Sequence, residues 1–144
     1  LGREPVDAPR LLAEEDSAAW ARLAADALGG FDALYVHIKG PDVPAHDGRA
    51  EDKRDVIEVI DRAFFGEVLP RIDLSTTVVA VTADHATSCL RKAHTADPVP
   101  LLVAGGPVRP DGTDVFGERA SGTGSLGSMK GVEILPELTA LLRT

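Results

Sequence analysis

The chain has 144 residues, of which 44% are hydrophobic and 26% are charged, and its formal net charge is −8. These values are typical of a globular domain with its own core, and the negative charge argues against a nucleic-acid or anionic-membrane surface as the main partner. Cys89 is the only cysteine, which excludes an intramolecular disulfide and agrees with a reducing cytoplasm. No apolar run reaches the roughly 18 residues of a membrane span, and no signal-peptide pattern is present, so we expect a cytoplasmic location and no membrane partner.

The first part of the chain predicts a linker followed by a helix. Residues 1–9 contain two prolines and no periodicity, so we expect a linker or arm, with the domain occupying residues 10–144. Apolar residues then recur at helical spacing until Gly29 and Gly30 end the helix. Trp20 lies within this pattern and is interpreted as a packing anchor.

A second segment, Phe31 to Ile38, has the apolar composition of a buried strand. It is followed by a stretch in which Pro41 and Pro44 argue against a continuous helix. We therefore expect Asp42 and His46 to lie on a loop at the end of a strand.

A long amphipathic helix from Glu51 to Leu69 precedes the most apolar stretch of the chain, Val78 to Ala83. That stretch is typical of a strand buried on both faces in a mostly parallel sheet. It ends at Asp84 and His85, and ligands bind beyond the carboxyl ends of strands in such sheets. The alternative is that Asp84 opens a turn and His85 is an ordinary loop histidine.

The remaining residues predict a third short strand, Val99 to Ala104, after a loop that carries His94. The glycine-rich stretch Ser121 to Gly127 resembles a phosphate cradle only loosely, and we expect a loop there. A terminal helix is expected from Leu135 to Leu142, with Pro136 in its first turn. The alternation of helices and strands predicts a layered α/β domain.

Five carboxylate and imidazole side chains lie beside the predicted strands, and they include three of the four histidines. They are Asp42, His46, Asp84, His85 and His94. Mixed ligands of this kind suit Zn²⁺, Mn²⁺ or a similar divalent ion. Two such ions about 3.5–4 Å apart can clamp the attacking and leaving oxygens of a phosphoryl transfer.

Four stretches resemble a known family: Val-His-Ile-Lys-Gly-Pro-Asp-Val-Pro-Ala-His-Asp-Gly from Val36, Thr-Ala-Asp-His-Ala-Thr from Thr82, Lys-Ala-His-Thr-Ala-Asp-Pro-Val-Pro-Leu-Leu from Lys92, and Gly-Ser-Leu-Gly-Ser-Met-Lys-Gly-Val-Glu-Ile-Leu-Pro from Gly124. The family is the cofactor-independent phosphoglycerate mutases of the archaeal-type branch, which are metalloenzymes of the alkaline phosphatase superfamily. The resemblance extends from Phe31 to the C-terminus. Related sequences of this branch also carry a phosphonopyruvate decarboxylase-like name.

The resemblance implies an alkaline-phosphatase-like fold, with a mostly parallel sheet flanked by helices, and two divalent metal ions, Mn²⁺, Zn²⁺ or Mg²⁺. Asp42, His46 and His94 would hold one ion, and Asp84 and His85 would hold the other. Nearby cationic side chains are candidates for binding the phosphate or carboxylate of a small phosphorylated acid, although a solvated surface role is equally open. They are Lys39, Arg91 and Lys92.

The resemblance also implies that 3-phosphoglycerate and 2-phosphoglycerate interconvert through a phosphoserine intermediate. No segment before Asp42 carries the family's nucleophilic serine, so no catalytic nucleophile is identified in this chain. We therefore expect a C-terminal portion of a longer mutase-like protein, with an incomplete fold, no activity alone, and the missing N-terminal portion as its partner. The alternatives are a phosphate-monoester hydrolase of the same superfamily and an inactive fragment with a vestigial metal site. The oligomeric state is left open.

Overall fold

A computed structural model of the chain describes residues 13–142, so the predicted linker at residues 1–9 lies outside the described residues. The chain divides into two compact units. Of the described residues, the first unit contains 13–72 together with Thr87–His94, and the second contains Asp73–Ala86 and 95–142. None of the helices within residues 13–142 is both long enough and apolar enough to cross a membrane.

The first unit is mainly helical. Its helical elements are α1 (Glu14–Leu28), α2 (Asp42–His46), α3 (Ala50–Val59), a π-helical segment (Ile60–Phe65), α4 (Gly66–Val68) and a 3₁₀ turn (Leu69–Arg71). The last four elements follow one another without a break, so the long helix predicted from Glu51 to Leu69 is confirmed. Helix α1 carries three acidic residues in its first turn, where negative charge interacts favourably with the helix dipole.

The core of this unit forms where α1 packs against the π-helical segment. Ala21 and Ala24 of α1 and Phe64 of the π-helical segment are buried together. Two alanines on one helix face let the backbones approach closely enough for the Phe64 ring to fill the space between them. Trp20 packs against this cluster, which confirms its predicted role as a packing anchor.

Asp42 and His46 lie on helix α2, which corrects the prediction that they lie on a loop. Pro41 is the N-cap of α2 and Pro44 is its third residue. The first four N–H groups of a helix have no intrahelical partner, so a proline there removes no hydrogen bond. The two prolines therefore mark the start of a helix and do not prevent one.

The segment from Phe31 to Ile38 has no regular secondary structure and belongs to neither of the sheets found in residues 13–142, which corrects the prediction of a buried strand. Phe31 is 55% exposed and Tyr35 is 81% exposed. An apolar strand becomes buried only when a neighbouring strand and a covering layer are present. The sequence of the Phe31 to Ile38 segment predicts a strand, but the described residues contain no strand that pairs with this segment.

The described strands form two two-stranded sheets. Strand β1 (Val79–Thr82) pairs with β4 (Leu101–Ala104) in an antiparallel register that places Val81 opposite Leu102. Strand β2 (Ala86–Ser88) pairs with β3 (Ala93–Thr95). The α/β class is confirmed, because the described residues combine helices with strands: six helical elements come first, four strands follow, and two helices come last.

The β1–β4 pair is antiparallel, so it does not itself supply parallel strands of the mostly parallel sheet that the resemblance implies. The chain between β1 and β4 holds the β2/β3 hairpin and no helix, whereas the crossover of a parallel pair is usually a helix. Strand β1 is also half-buried on one face only, since Val79 and Val81 are partly buried while Ala80 and Thr82 are exposed. The apolar composition of β1 had predicted burial on both faces.

The second unit also contains two helices, α5 (Glu118–Ser121) and α6 (Gly131–Leu141). Helix α6 begins earlier than the predicted Leu135, so Pro136 lies inside it and not in its first turn. The early start has a local cause, because the Glu133 carboxylate accepts the backbone N–H of Lys130 at 2.6 Å and caps the helix.

A glycine is required directly after β4. Gly105 has a φ of +86°, and a Cβ at this position would lie 2.2 Å from the backbone oxygen of Thr77. The next residue, Gly106, donates its N–H to the Leu74 carbonyl oxygen at 2.8 Å. This close contact holds the residues before β1 against the end of β4.

We predict that Phe64→Ala lowers the free energy of unfolding by about 3 kcal/mol, because it leaves a cavity between α1 and the π-helical segment. Urea unfolding followed by circular dichroism measures the change. Leu90→Ala is the control, since Leu90 is 97% exposed and its loss should change the free energy by less than about 0.5 kcal/mol. Equal losses for the two variants would contradict this description of the core.

Candidate metal centre

Helix α2 presents a carboxylate and an imidazole on the same face. Asp42 and His46 are four residues apart, the spacing at which side chains lie above one another on a helix. The Oδ1 atom of Asp42 lies 3.5 Å from the Nε2 atom of His46. The sequence of α2 therefore brings two potential metal ligands together without any long-range contact.

The β2/β3 hairpin supplies a second imidazole. His94 lies on β3, and its Nε2 atom is 3.1 Å from Nε2 of His46 and 3.8 Å from Oδ1 of Asp42. The ligand atoms of all three residues lie within 4.8 Å of one another. Asp42, His46 and His94, which the resemblance assigns to one metal ion, are thus brought together; we call them the three-residue cluster.

The spacing of the three-residue cluster suits a small divalent ion. Ligand atoms that bind Zn²⁺ at 2.0–2.1 Å in a tetrahedron are separated by about 3.3 Å, which is close to the observed separations of 3.1, 3.5 and 3.8 Å. A divalent cation would also offset the carboxylate charge and bind both imidazole lone pairs. The chemistry and the spacing of these donors therefore fit a metal ion.

The three-residue cluster is open to solvent on one side. The side chain of Asp42 is 35% exposed, that of His46 is 41% exposed and that of His94 is 54% exposed. Structural zinc sites are usually closed by four protein ligands, whereas catalytic sites use three and leave a position for water or substrate. Three ligands with an open side are typical of a catalytic centre.

Two further contacts orient these ligands, and the sequence analysis missed both. The buried Thr87 hydroxyl donates a hydrogen bond to Oδ1 of Asp42 at 2.8 Å. The Nδ1 atom of His46 lies 3.3 Å from the Lys92 carbonyl oxygen. When Nδ1 donates its proton to that oxygen, Nε2 presents its lone pair toward Asp42 and His94.

The turn between β2 and β3, whose Lys92 carbonyl oxygen contacts His46, has an unusual backbone conformation. Lys92 has a φ of +50°, a value that few residues other than glycine adopt. Opposite it, Gly48 has a φ of +78°, and a Cβ there would lie 3.2 Å from the Cys89 carbonyl oxygen and 2.6 Å from Cε of Lys92. The chain following α2 can approach the turn this closely only because residue 48 is a glycine.

Asp84 and His85, the residues assigned to a second ion, lie directly after β1 and belong to the second unit. The Asp84 carboxylate accepts the backbone N–H of His85 at 3.1 Å, and its other oxygen lies 3.5 Å from Nε2 of His85. The pair thus offers one carboxylate and one imidazole from adjacent positions. Its role as a metal ligand pair stays a prediction.

The three predicted substrate-binding side chains all belong to the first unit and are exposed. Lys39 lies just before α2, and Arg91 and Lys92 lie in the turn between β2 and β3. Arg91 donates its backbone N–H to the Ser88 hydroxyl at 3.2 Å, which fixes the turn and leaves its guanidinium uninvolved in that bond. Substrate binding by these residues stays a prediction.

The glycine-rich stretch forms turns after α5, as predicted. The Asp111 carboxylate accepts the backbone N–H of Ser125 at 2.6 Å and that of Thr113 at 2.9 Å. These bonds hold the pKa of Asp111 well below its usual range, and the bond from Ser125 contributes most to this lowering. Because a carboxylate already binds the Ser125 amide, this stretch is unsuited to bind a phosphate there.

Comparison with known proteins identifies the family. The sequence model of the metalloenzyme superfamily matches residues 9–138, which is most of the chain. The chain belongs to the metalloenzyme superfamily. Membership and the three-residue cluster together support divalent metal binding by this superfamily member.

Named relatives of this metalloenzyme are mutases. The 2,3-bisphosphoglycerate-independent phosphoglycerate mutase of Thermococcus kodakarensis is 42% identical over 88% of this chain and 31% of the relative. The protein of the same name from Methanoculleus marisnigri is 39% identical over 99% of this chain and 34% of the relative. These matches confirm the resemblance stated above, and the chain spans about a third of the length of these curated relatives.

The fold has a close counterpart among solved structures. The PH0037 protein from Pyrococcus horikoshii matches with a TM-score of 0.85 and 40% sequence identity, over 88% of this chain and 38% of that chain. The match confirms the α/β fold of this chain.

We predict that Asp42→Asn, His46→Ala and His94→Ala each weaken Zn²⁺ binding by more than about 100-fold, because loss of a ligand should exceed the 10–100-fold cost of losing an outer contact. Isothermal titration calorimetry measures the affinity. His37→Ala is the matched control, since His37 lies outside the three-residue cluster and should leave the affinity unchanged. Tight Zn²⁺ binding by the His94→Ala variant would rule out this centre.

Proposed function

We propose that this chain is the metal-binding part of a cofactor-independent phosphoglycerate mutase, which interconverts 3-phosphoglycerate and 2-phosphoglycerate through a phosphoserine intermediate. The observation that carries the proposal is the open three-residue cluster of Asp42, His46 and His94. The names of the curated relatives support the same reaction. In this proposal the nucleophilic serine lies outside the chain, and the protein acts in the cytoplasm.

In the proposed enzyme two divalent ions are bound, one by the three-residue cluster and one by Asp84 and His85. When bound, such ions act as Lewis acids that neutralise the charge of a phosphoryl group and orient its oxygens. Two imidazoles in the three-residue cluster favour Zn²⁺ or Mn²⁺ over Mg²⁺, which prefers oxygen ligands in an octahedron. The carboxylate of Asp42 and the lone pairs of the imidazoles fix where the ion lies.

The proposed substrate is a small acid that carries both a phosphate and a carboxylate. A protein with a net charge of −8 needs local positive charge to bind it. Lys39, Arg91 and Lys92 supply exposed cationic residues near, in the sequence, the residues that carry the three-residue cluster. An arginine can bind a phosphate or carboxylate through two parallel hydrogen bonds, and lysine acts as a point charge.

Phosphorus NMR tests the reaction. The protein expressed from the start of its own gene, with Mn²⁺ and 3-phosphoglycerate, is expected to form 2-phosphoglycerate. The same protein with His94→Ala should lose this activity, whereas His37→Ala should retain it. The 144-residue chain alone is expected to give no conversion, because it lacks the serine nucleophile in this proposal.

The other outcomes of this experiment separate the alternatives. Release of free phosphate without 2-phosphoglycerate would identify a phosphate-monoester hydrolase that uses the same ligands. Neither product, together with absence of bound metal, would identify an inactive protein with a vestigial site. Substantial conversion by the 144-residue chain alone would contradict the proposal that the nucleophile lies elsewhere.

We further propose that another part of the same protein pairs with the segment from Phe31 to Ile38. Ile38 packs against the core of the first unit, but the other apolar side chains of the segment are exposed, with Tyr35 at 81%, and the segment belongs to neither described sheet. The mutases that match this chain are about three times its length, so they contain residues that could supply the neighbouring strand. A strand added at this position would cover the exposed apolar side chains of the segment.

Hydrogen exchange measured by mass spectrometry tests this pairing. Peptides that cover Phe31 to Ile38 should exchange rapidly in the 144-residue chain and at least about 100-fold more slowly in the full gene product, because ladder hydrogen bonds protect amides. Peptides from helix α1 serve as the internal control and should be protected in both proteins. Rapid exchange of the segment in the full gene product would contradict the proposed pairing.

A further inference from the structure

The three-residue cluster is divided between two separate stretches of chain. Helix α2 supplies Asp42 and His46, whereas the β2/β3 hairpin supplies His94. A metal site tolerates errors of only a few tenths of an ångström in the positions of its ligands. Contacts that fix the hairpin against α2 therefore decide whether the three ligands meet.

Thr87 makes two such contacts at once. Its hydroxyl donates to Oδ1 of Asp42 at 2.8 Å, and its carbonyl oxygen accepts a hydrogen bond from Nζ of Lys53 at 2.9 Å. Lys53 lies on α3, which follows α2 in the chain, and its side chain is part-buried at this contact. Thr87 thus connects the hairpin to the ligand-bearing helix on one side and to the next helix on the other.

The Thr87 hydroxyl donates to the carboxylate oxygen of Asp42 that faces the two imidazoles. Oδ1 of Asp42 is the atom that lies 3.5 Å from Nε2 of His46 and 3.8 Å from Nε2 of His94. A carboxylate oxygen has two lone pairs, so one can accept the Thr87 proton while the other points toward the imidazoles. The bond therefore favours one rotation of a carboxylate whose side chain is 35% exposed.

We infer that Thr87, held by Lys53, is a positioning residue for the metal centre: its hydroxyl orients the Asp42 carboxylate and fixes the hairpin that carries His94. This inference rests on the proposed metal centre. Thr87 contacts a ligand and not the ion, so it acts through Asp42. Thr87 is 7% exposed, so water has little access to replace its hydrogen bond when the hydroxyl is removed.

Titration of the 144-residue chain with Co²⁺, followed by its visible absorption, tests the inference. Thr87→Val keeps the branched shape but removes the hydroxyl, and it should weaken Co²⁺ binding about 10–100-fold and change the band shape. Thr87→Ser retains the hydroxyl and should restore the affinity to within about threefold and the band shape of the unchanged chain. Lys53→Met keeps the apolar stem, loses the ammonium, and should weaken binding about tenfold.

Thr139→Val is the matched control. Thr139 lies on α6 in the second unit, and its hydroxyl donates to the Pro136 carbonyl oxygen at 2.9 Å. Its loss should leave both the Co²⁺ affinity and the spectrum unchanged. Circular dichroism of each metal-free variant shows whether it remains folded, and if Thr87→Val does not fold, Thr87→Ser and Lys53→Met decide the question.

The outcomes distinguish the inference from the metal centre on which it rests. If the unchanged chain binds no Co²⁺, the metal centre is wrong and the inference falls with it. If the unchanged chain binds Co²⁺ and a folded Thr87→Val variant binds it equally well, the inference alone is wrong. Weakened binding that Thr87→Ser does not restore would also overturn it, because the hydroxyl would then not be responsible.

Discussion

One hydrogen bond, from the Thr87 hydroxyl to the Asp42 carboxylate, joins the two stretches of chain that carry the three-residue cluster. A second contact between helix α2 and the β2/β3 hairpin joins His46 to the Lys92 carbonyl. Both contacts use groups at the tip or edge of the hairpin, so they hold the strand that bears His94 in place. The separation of 3.1 Å between the two imidazole Nε2 atoms depends on this arrangement.

The chemistry of the centre follows from its openness. Three potential protein ligands with partly exposed side chains leave room for another oxygen ligand, as the proposed reaction requires. The protein is acidic overall, so in the proposed function the attraction for an anionic substrate would come from bound cations and from cationic side chains such as Arg91. Membership of the metalloenzyme superfamily agrees with a role for a bound metal ion.

The sequence predicted the α/β class, the long helix and the residues of the cluster, but not the contacts that organise them. Asp42, His46 and His94 stood out because three of the four histidines lie near aspartates at the ends of predicted strands, and the resemblance assigned these three residues to one ion. Pro44 led to the wrong prediction of a loop in place of α2, because a proline early in a helix and a proline in a loop give the same local signal. Thr87 carried no signal, since a threonine in a strand is ordinary until its partner is known. The antiparallel pairing of β1 could not be predicted from the sequence either, because strand pairing depends on residues that are distant in the chain.

X-ray absorption spectroscopy at the zinc edge of the Zn²⁺-loaded chain tests the central claim, that Asp42, His46 and His94 bind one metal ion. The account predicts two imidazole nitrogens at about 2.0–2.1 Å from the ion, with the remaining positions filled by oxygen. The imidazole contribution should fall to one ring in the His94→Ala variant. A shell of oxygen atoms alone, or an unchanged imidazole contribution in that variant, would contradict the account.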